Sequence, residues 1–161
     1  MMNPEPQKEH QWLERLVGEW TSESEAIEEP GKPPAKQTGT ESVRSLGGLW
    51  VLCEGRGEMP GGGAATTIMT LGYDPVKKRF VGTFIASMMT HLWLYEGELD
   101  PAGNVLTLDT EGPSFTAEGK MAKYKDVIEL KSDDHRVLTS SFLGDDGKWH
   151  EFMTANYRRT K

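Results

Sequence analysis

Apolar residues recur at every second position along most of this chain, and residues 65–100 show the pattern most openly. That stretch divides into three alternating limbs, broken at Asp74-Pro75 with Lys77 and Lys78 and again at Ser87-Met88-Met89-Thr90. It reads as three consecutive strands joined by turns. The same alternation predicts strands over residues 19–28, 37–46, 49–59, 65–74, 79–87, 91–100, 104–111, 121–131, 135–143 and 149–159. Helical spacing occurs once, over residues 6–17, where Trp12, Leu13, Leu16 and Val17 share one side and charges the other. Gly18 is a natural stop for that helix.

Short connections between so many strands favour an up-and-down antiparallel order, and closing the sheet removes its exposed edges. The expected fold is therefore all-β: a barrel of about ten strands over residues 19–159, with the short N-terminal helix closing one end. The 161 residues are long enough for one domain with a real core. In a meander, alternate loops lie at opposite ends. Leu46-Gly47-Gly48, residues 74–77, residues 100–103 and Ser132-Asp133-Asp134 fall at one end, all tight and polar. Residues 30–34, 60–63, 87–90, 113–118 and 145–147 fall at the other, where the loops are on balance longer, richer in glycine or more apolar. This second end is the expected mouth, since loops held on a rigid scaffold commonly carry binding.

Parity then sorts side chains into inward and outward sets. Lys123, Lys125, Glu129 and Lys131 share one face, which leaves Tyr124, Asp126, Ile128 and Leu130 inward. The same reading turns Phe80, Phe84 and Met88 inward, with His91, Trp93, Tyr95, Leu106, Leu108, Leu138, Ser140 and Phe142. On the last strand it selects His150, Phe152, Thr154, Asn156 and Arg158. Residues 49–59 stay ambiguous, although Glu54, Arg56 and Glu58 on one face suit solvent. Trp50, Leu92 and Leu94 fall outward and would supply the face of a homodimer.

Charge narrows the partners. Asp+Glu 25 against Lys+Arg 18 gives a formal net charge of -7, which disfavours nucleic acid. No apolar run approaches the roughly 20 residues of a bilayer span, and the N-terminus has no hydrophobic signal region, so the expectation is a soluble, cytoplasmic protein without a membrane partner. The one cysteine, Cys53, lies in an apolar run and reads as a buried, inert thiol.

The helix followed by Gly18-Glu19-Trp20 at the start of the first strand resembles the lipocalin and wider calycin barrels. Over nearly the whole chain the sequence also resembles a bacterial family, domain of unknown function fifteen seventy-nine. The likeness is carried by Val17-Gly18-Glu19-Trp20, Thr38-Gly39-Thr40-Glu41, Arg44-Ser45-Leu46-Gly47-Gly48-Leu49-Trp50, Met59-Pro60-Gly61-Gly62, Thr70-Leu71-Gly72-Tyr73-Asp74, Ser87-Met88-Met89-Thr90-His91-Leu92-Trp93 and Trp149-His150-Glu151-Phe152. That resemblance implies a calycin-like barrel and assigns no chemistry. A more distant likeness is to nitrobindins, ten-stranded calycin barrels that bind haem through a histidine on a late strand. His150 is the residue here in a comparable place, and the likeness implies haem as a ligand to test there.

Met88, His91, Trp93, Tyr95, Tyr124, Asp126 and His150 are the expected ligand-binding residues, a few polar groups converging on an apolar pocket near the mouth. The leading reading is a barrel that binds a small apolar or amphipathic molecule, with interior room that side chains need not fill. Two alternatives stand beside it. One is a structural or oligomeric barrel with a filled interior. The other is a metal- or haem-binding protein or enzyme using His91, His150 and Asp126. No ligand motif, nucleophile elbow, phosphate loop or carboxylate pair assigns a catalytic activity, and the reading favours a non-enzyme. Trp20 is expected to be structural, at the closed end beneath an arginine from the last strand.

Overall fold

Ten strands and one helix follow one another as α1 (Lys8–Glu14), β1 (Gly18–Ala26), β2 (Ala35–Leu46), β3 (Trp50–Glu58), β4 (Ala64–Asp74), β5 (Arg79–Ala86), β6 (Trp93–Leu99), β7 (Val105–Pro113), β8 (Met121–Ser132), β9 (His135–Leu143) and β10 (Trp149–Arg159). The computed structural model describes residues 4–27, 31–58 and 62–161. Glu28, Pro30, Met59, Pro60 and Gly61, which the alternation assigns to strand ends and loops, lie outside the described residues. Each strand pairs antiparallel with its sequence neighbours, and β1 pairs with β10, so the sheet closes into the expected up-and-down barrel. Among the described residues no helix is long and apolar enough to cross a membrane.

Helix α1 is shorter than its apolar stripe. Arg15, Leu16 and Val17 donate to carbonyls three residues back, at 3.1, 3.0 and 3.1 Å, which tightens the chain out of α-geometry before Gly18. The stripe still does its work: Trp12, Leu13 and Leu16 are buried against Val51, Leu71, Phe80, Leu106 and Leu130. Trp12 Nε1 donates to the Gly103 carbonyl at 2.7 Å, anchoring the helix to the β6–β7 turn. His10 accepts the Gln7 N–H on Nδ1 at 2.9 Å, which leaves Nε2 as the donor to the Tyr73 carbonyl at 3.0 Å. The helix thus closes the end that collects the tight polar turns.

Gly18 is required where α1 hands over to β1. Its φ of 143° is strained for any side chain, and a Cβ there would run into the Arg159 guanidinium. That guanidinium donates to the carbonyls of Val17 (2.5 Å), Arg15 (2.7 Å) and Asp133 (2.9 Å), tying the end of β10 to the helix exit.

Two features depart from the parity reading. His91 and Leu92 precede β6, so His91 is a loop residue, its Nε2 3.0 Å from the Glu111 carbonyl. On β10 the register shifts between Glu151 and Met153, so Phe152 is an extra residue and every later position changes face. Met153, Ala155 and Tyr157, opposite Ser140, Leu138 and Arg136, are therefore inward, whereas Thr154, Asn156 and Arg158 are outward. On the outside, Leu92, Leu94, Ile68 and Ile85 are exposed.

Candidate functional site

The ladder registers give the lining of the half of the barrel away from the helix. On β1 to β4 the inward positions there are Ser22 and Ser24, Gly39, Gly55 and Gly57, and Ala65 and Thr67. On β5 to β9 they are Phe84, Trp93, Tyr95, Tyr124 and Phe142. One side of the interior is thus built from the smallest residues and the other from aromatic rings. Volume follows from that imbalance.

The aromatic side holds most of the residues expected from sequence. His91 meets Trp93 edge-on at 4.7 Å, Trp93 meets Tyr124 at 5.1 Å, and Phe115 meets both Tyr124 (5.4 Å) and Phe152 (5.1 Å). His150 stacks on Phe142 at 5.3 Å. His91, Trp93, Tyr124 and His150 are therefore brought into one array at one end, but they meet as packed rings. Trp93, Tyr95 and Tyr124 are all buried. Met88 stands apart, half-exposed on β5's exit, where it borders the open interior.

Asp126 is inward and one layer deeper, as parity expects. It accepts from Ser140 Oγ at 2.6 Å and from the Tyr95 hydroxyl. Burial pushes its carboxyl up from the ordinary 3.8, the hydrogen bonds from Ser140 and Tyr95 pulling the other way. A carboxyl harder to ionise in the folded chain holds its proton longer there. Its contribution therefore favours folding below its unfolded pKa and is lost as pH rises through the higher folded value. The stability of wild type minus that of Asp126→Asn, from urea unfolding, should fall as pH rises above the ordinary carboxylate value of 3.8. A difference that stays flat would show that this carboxyl titrates as if exposed.

Beside the small-residue side lies an interior cavity of about 290 Å³, bordered by Phe84, Met69, Leu71, Ile128, Leu138 and Met153 across from the glycines. Its floor is polar. Arg136, opposite Leu130 on β9, forms an ion pair with Glu41 of β2, and both side chains border the cavity. The Arg136 guanidinium lies 4.7 Å from the Trp20 ring and 4.0 Å from the Tyr157 ring. Cys53, buried beside this pair, is protonated: burial first, then the Glu41 carboxylate, push its thiol far above the usual range. It has no nucleophilic character.

The residues do not fit a haem or metal ligand set. His150 Nε2 lies 2.9 and 3.1 Å from the two carboxylate oxygens of Asp146, the side chain is nearly half exposed, and it does not border the cavity. His91 is held by Glu111, and Asp126 by Ser140 and Tyr95. Among the described residues no group of three or more His, Cys, Asp or Glu side chains could hold a metal ion.

Sequence reasoning passed over Arg136, Glu41, Tyr157 and the glycines of β2 and β3. The signal was present: with Glu54, Arg56 and Glu58 facing solvent, Cys53-x-Gly55-x-Gly57 is the inward face of β3, and glycine at alternate inward positions leaves space. Tyr157 was hidden by the β10 bulge.

Similar folds occur in solved structures of low identity. Rv2717c from M. tuberculosis superposes with a TM-score of 0.63 at 13% identity, over 98% of this chain and 100% of that one. The S-type phycobiliprotein lyase CPES from Guillardia theta gives 0.59 at 15%, over 97% and 99%. EF1p2_mFAP2b bound to DFHBI gives 0.51 at 12%, over 94% and 99%. No curated protein matches the sequence. The model of the family described as "Protein of unknown function (DUF1579)" matches residues 5–159, and this chain belongs to that family.

Proposed function

We propose that this protein binds a small, largely apolar molecule inside the barrel, in the cavity between the small-residue face of β1 to β4 and the apolar wall of Phe84, Ile128, Leu138 and Met153. The observation that carries the reading is the inward Gly39, Gly55 and Gly57. Glycine weakens a strand and packs nothing. At Gly39 and Gly55 a Cβ would meet the Arg56 carbonyl and Thr67 Oγ1 at 2.6 Å, so those two also let neighbouring groups approach, whereas Gly57 has room for a side chain and marks space left open. A cavity of about 290 Å³ sits at the small end of ligand pockets, which run from roughly 300 Å³ upward, and favours a compact ligand. A barrel of the same fold, EF1p2_mFAP2b, is bound to DFHBI, which supports the reading at the level of architecture. Met88 belongs to the rim of this pocket. Trp93, Tyr95, Tyr124 and Asp126 support its far wall; His91 braces Trp93 from the loop before β6, and His150, at the start of β10, stacks on Phe142.

Gly57 is the position at which to test this. A Cβ there meets only the Thr38 carbonyl at 3.4 Å and Gly39 Cα at 3.9 Å, so a side chain can enter without breaking the sheet. Titration with the uncharged dye Nile red should show binding to the wild type. In Gly57→Leu the affinity should fall by about tenfold or more, with a melting temperature within a few degrees of the parent. Dye binding equal in the two proteins would put the ligand elsewhere.

A further inference from the structure

We infer that the cavity floor at Arg136 is a recognition site for one uncharged hydrogen-bond acceptor, such as a carbonyl or ether oxygen, at the end of an otherwise apolar ligand. This rests on the pocket reading above and names the chemistry of its deep end.

Arg136 is 4% exposed and has five N–H donors to place. Nη2 donates to Glu41, but Nε is buried with no partner. Nη1 also makes no hydrogen bond among the described residues. The side chain that carries it borders the cavity. Tyr157, whose ring covers the guanidinium, likewise borders the cavity, and its hydroxyl has no partner among the described residues. Trp93 Nε1 and Thr110 Oγ1 are unpartnered too, but neither residue borders this space. Unmade donors thus converge on the floor from two strands, β9 and β10.

The charge is already settled. Glu41 neutralises Arg136 inside the barrel, so the floor offers donors with no net charge. A ligand carboxylate would set a second anion beside Glu41 in a medium that screens poorly, and a cation would face the guanidinium. A neutral acceptor takes up the free N–H and O–H groups at neither cost, and hydrogen bonds from a charged donor are the stronger kind. The rings of Trp20 and Tyr157 hold the guanidinium in place, so little side-chain freedom is lost on binding.

Three probes with the same ten-carbon scale of tail, 2-decanone, decanoate and decyltrimethylammonium, test the assignment by displacement of Nile red. The ketone should bind about tenfold more tightly than either charged probe. Arg136→Met alone would strand Glu41 inside the barrel, so the variant is Arg136→Met/Glu41→Gln, its folding checked by circular dichroism and a cooperative melt. In it the ketone should bind about tenfold more weakly than to the wild type, while decane, which has no acceptor, should bind within about threefold of its wild-type affinity. Equal affinities of the three probes in the wild type, a preference for a charged head, or a ketone affinity unchanged in the double variant would each overturn the anchor while leaving the pocket standing. A wild type that binds neither Nile red nor any probe would overturn the pocket, and the anchor with it.

Discussion

Replacing Trp20 by alanine should lower the unfolding free energy by about 3–5 kcal/mol, the usual range for a fully buried tryptophan. Trp20 is 1% exposed, and its Nε1 donates to the Leu16 carbonyl at 2.9 Å, tying β1 to the turn that follows the helix. Two guanidinium groups also lie over its ring, Arg159 at 4.3 Å and Arg136 at 4.7 Å. The expected arginine from the last strand is therefore Arg159, and a second one reaches the ring from β9. Such contacts are worth about 0.5–2 kcal/mol, less than the burial of the indole itself, so packing dominates the loss. Small domains hold only about 5–15 kcal/mol in total, which leaves this variant little reserve. Urea unfolding followed by far-UV circular dichroism reads the change. A variant with the parent's midpoint that nevertheless lost Nile red binding would make Trp20 a ligand contact and not a structural one.

Glu41→Ala should be comparably costly, about 3–5 kcal/mol, because it leaves the Arg136 charge buried without its counter-ion. Arg136 and Glu41 side chains are 5% and 12% exposed, so solvent can do little for whichever remains. Removing both charges at once as Arg136→Met/Glu41→Leu should cost much less than the sum of the single changes. A double-mutant cycle in urea separates the two cases. If the single and double variants lose the same stability, the pair contributes packing and no charge coupling.

The order of strands, the closed end and the inward face of β8 were legible because each depends on neighbours in sequence. Four charged residues at alternate positions between Lys123 and Lys131 leave Asp126 no face but the interior, and the structure hydrogen-bonds it to Tyr95 and Ser140. The end of the barrel shared by His91, Tyr124 and His150 follows from counting turns. What those residues do there was less legible. Their rings meet one another, and whether an inward aromatic lines a pocket or fills it depends on what faces it across the lumen.

Alternation by itself determined ten strands, their antiparallel sequence and the helix that closes one end, since period-two patterning and turn residues act over a few positions. Closure of the barrel decided the rest. It set the small residues of β1 to β4 opposite the rings of β5 to β9, and so placed a cavity that no single strand encodes. It brought Arg136 to Glu41 across 95 positions of chain, a pairing with no local signature. The β10 bulge is the third case. One extra residue at Phe152 exchanges the faces of Thr154 and Ala155, of Asn156 and Tyr157, because a strand's side chains alternate strictly and a bulge is set by the partner strand's register.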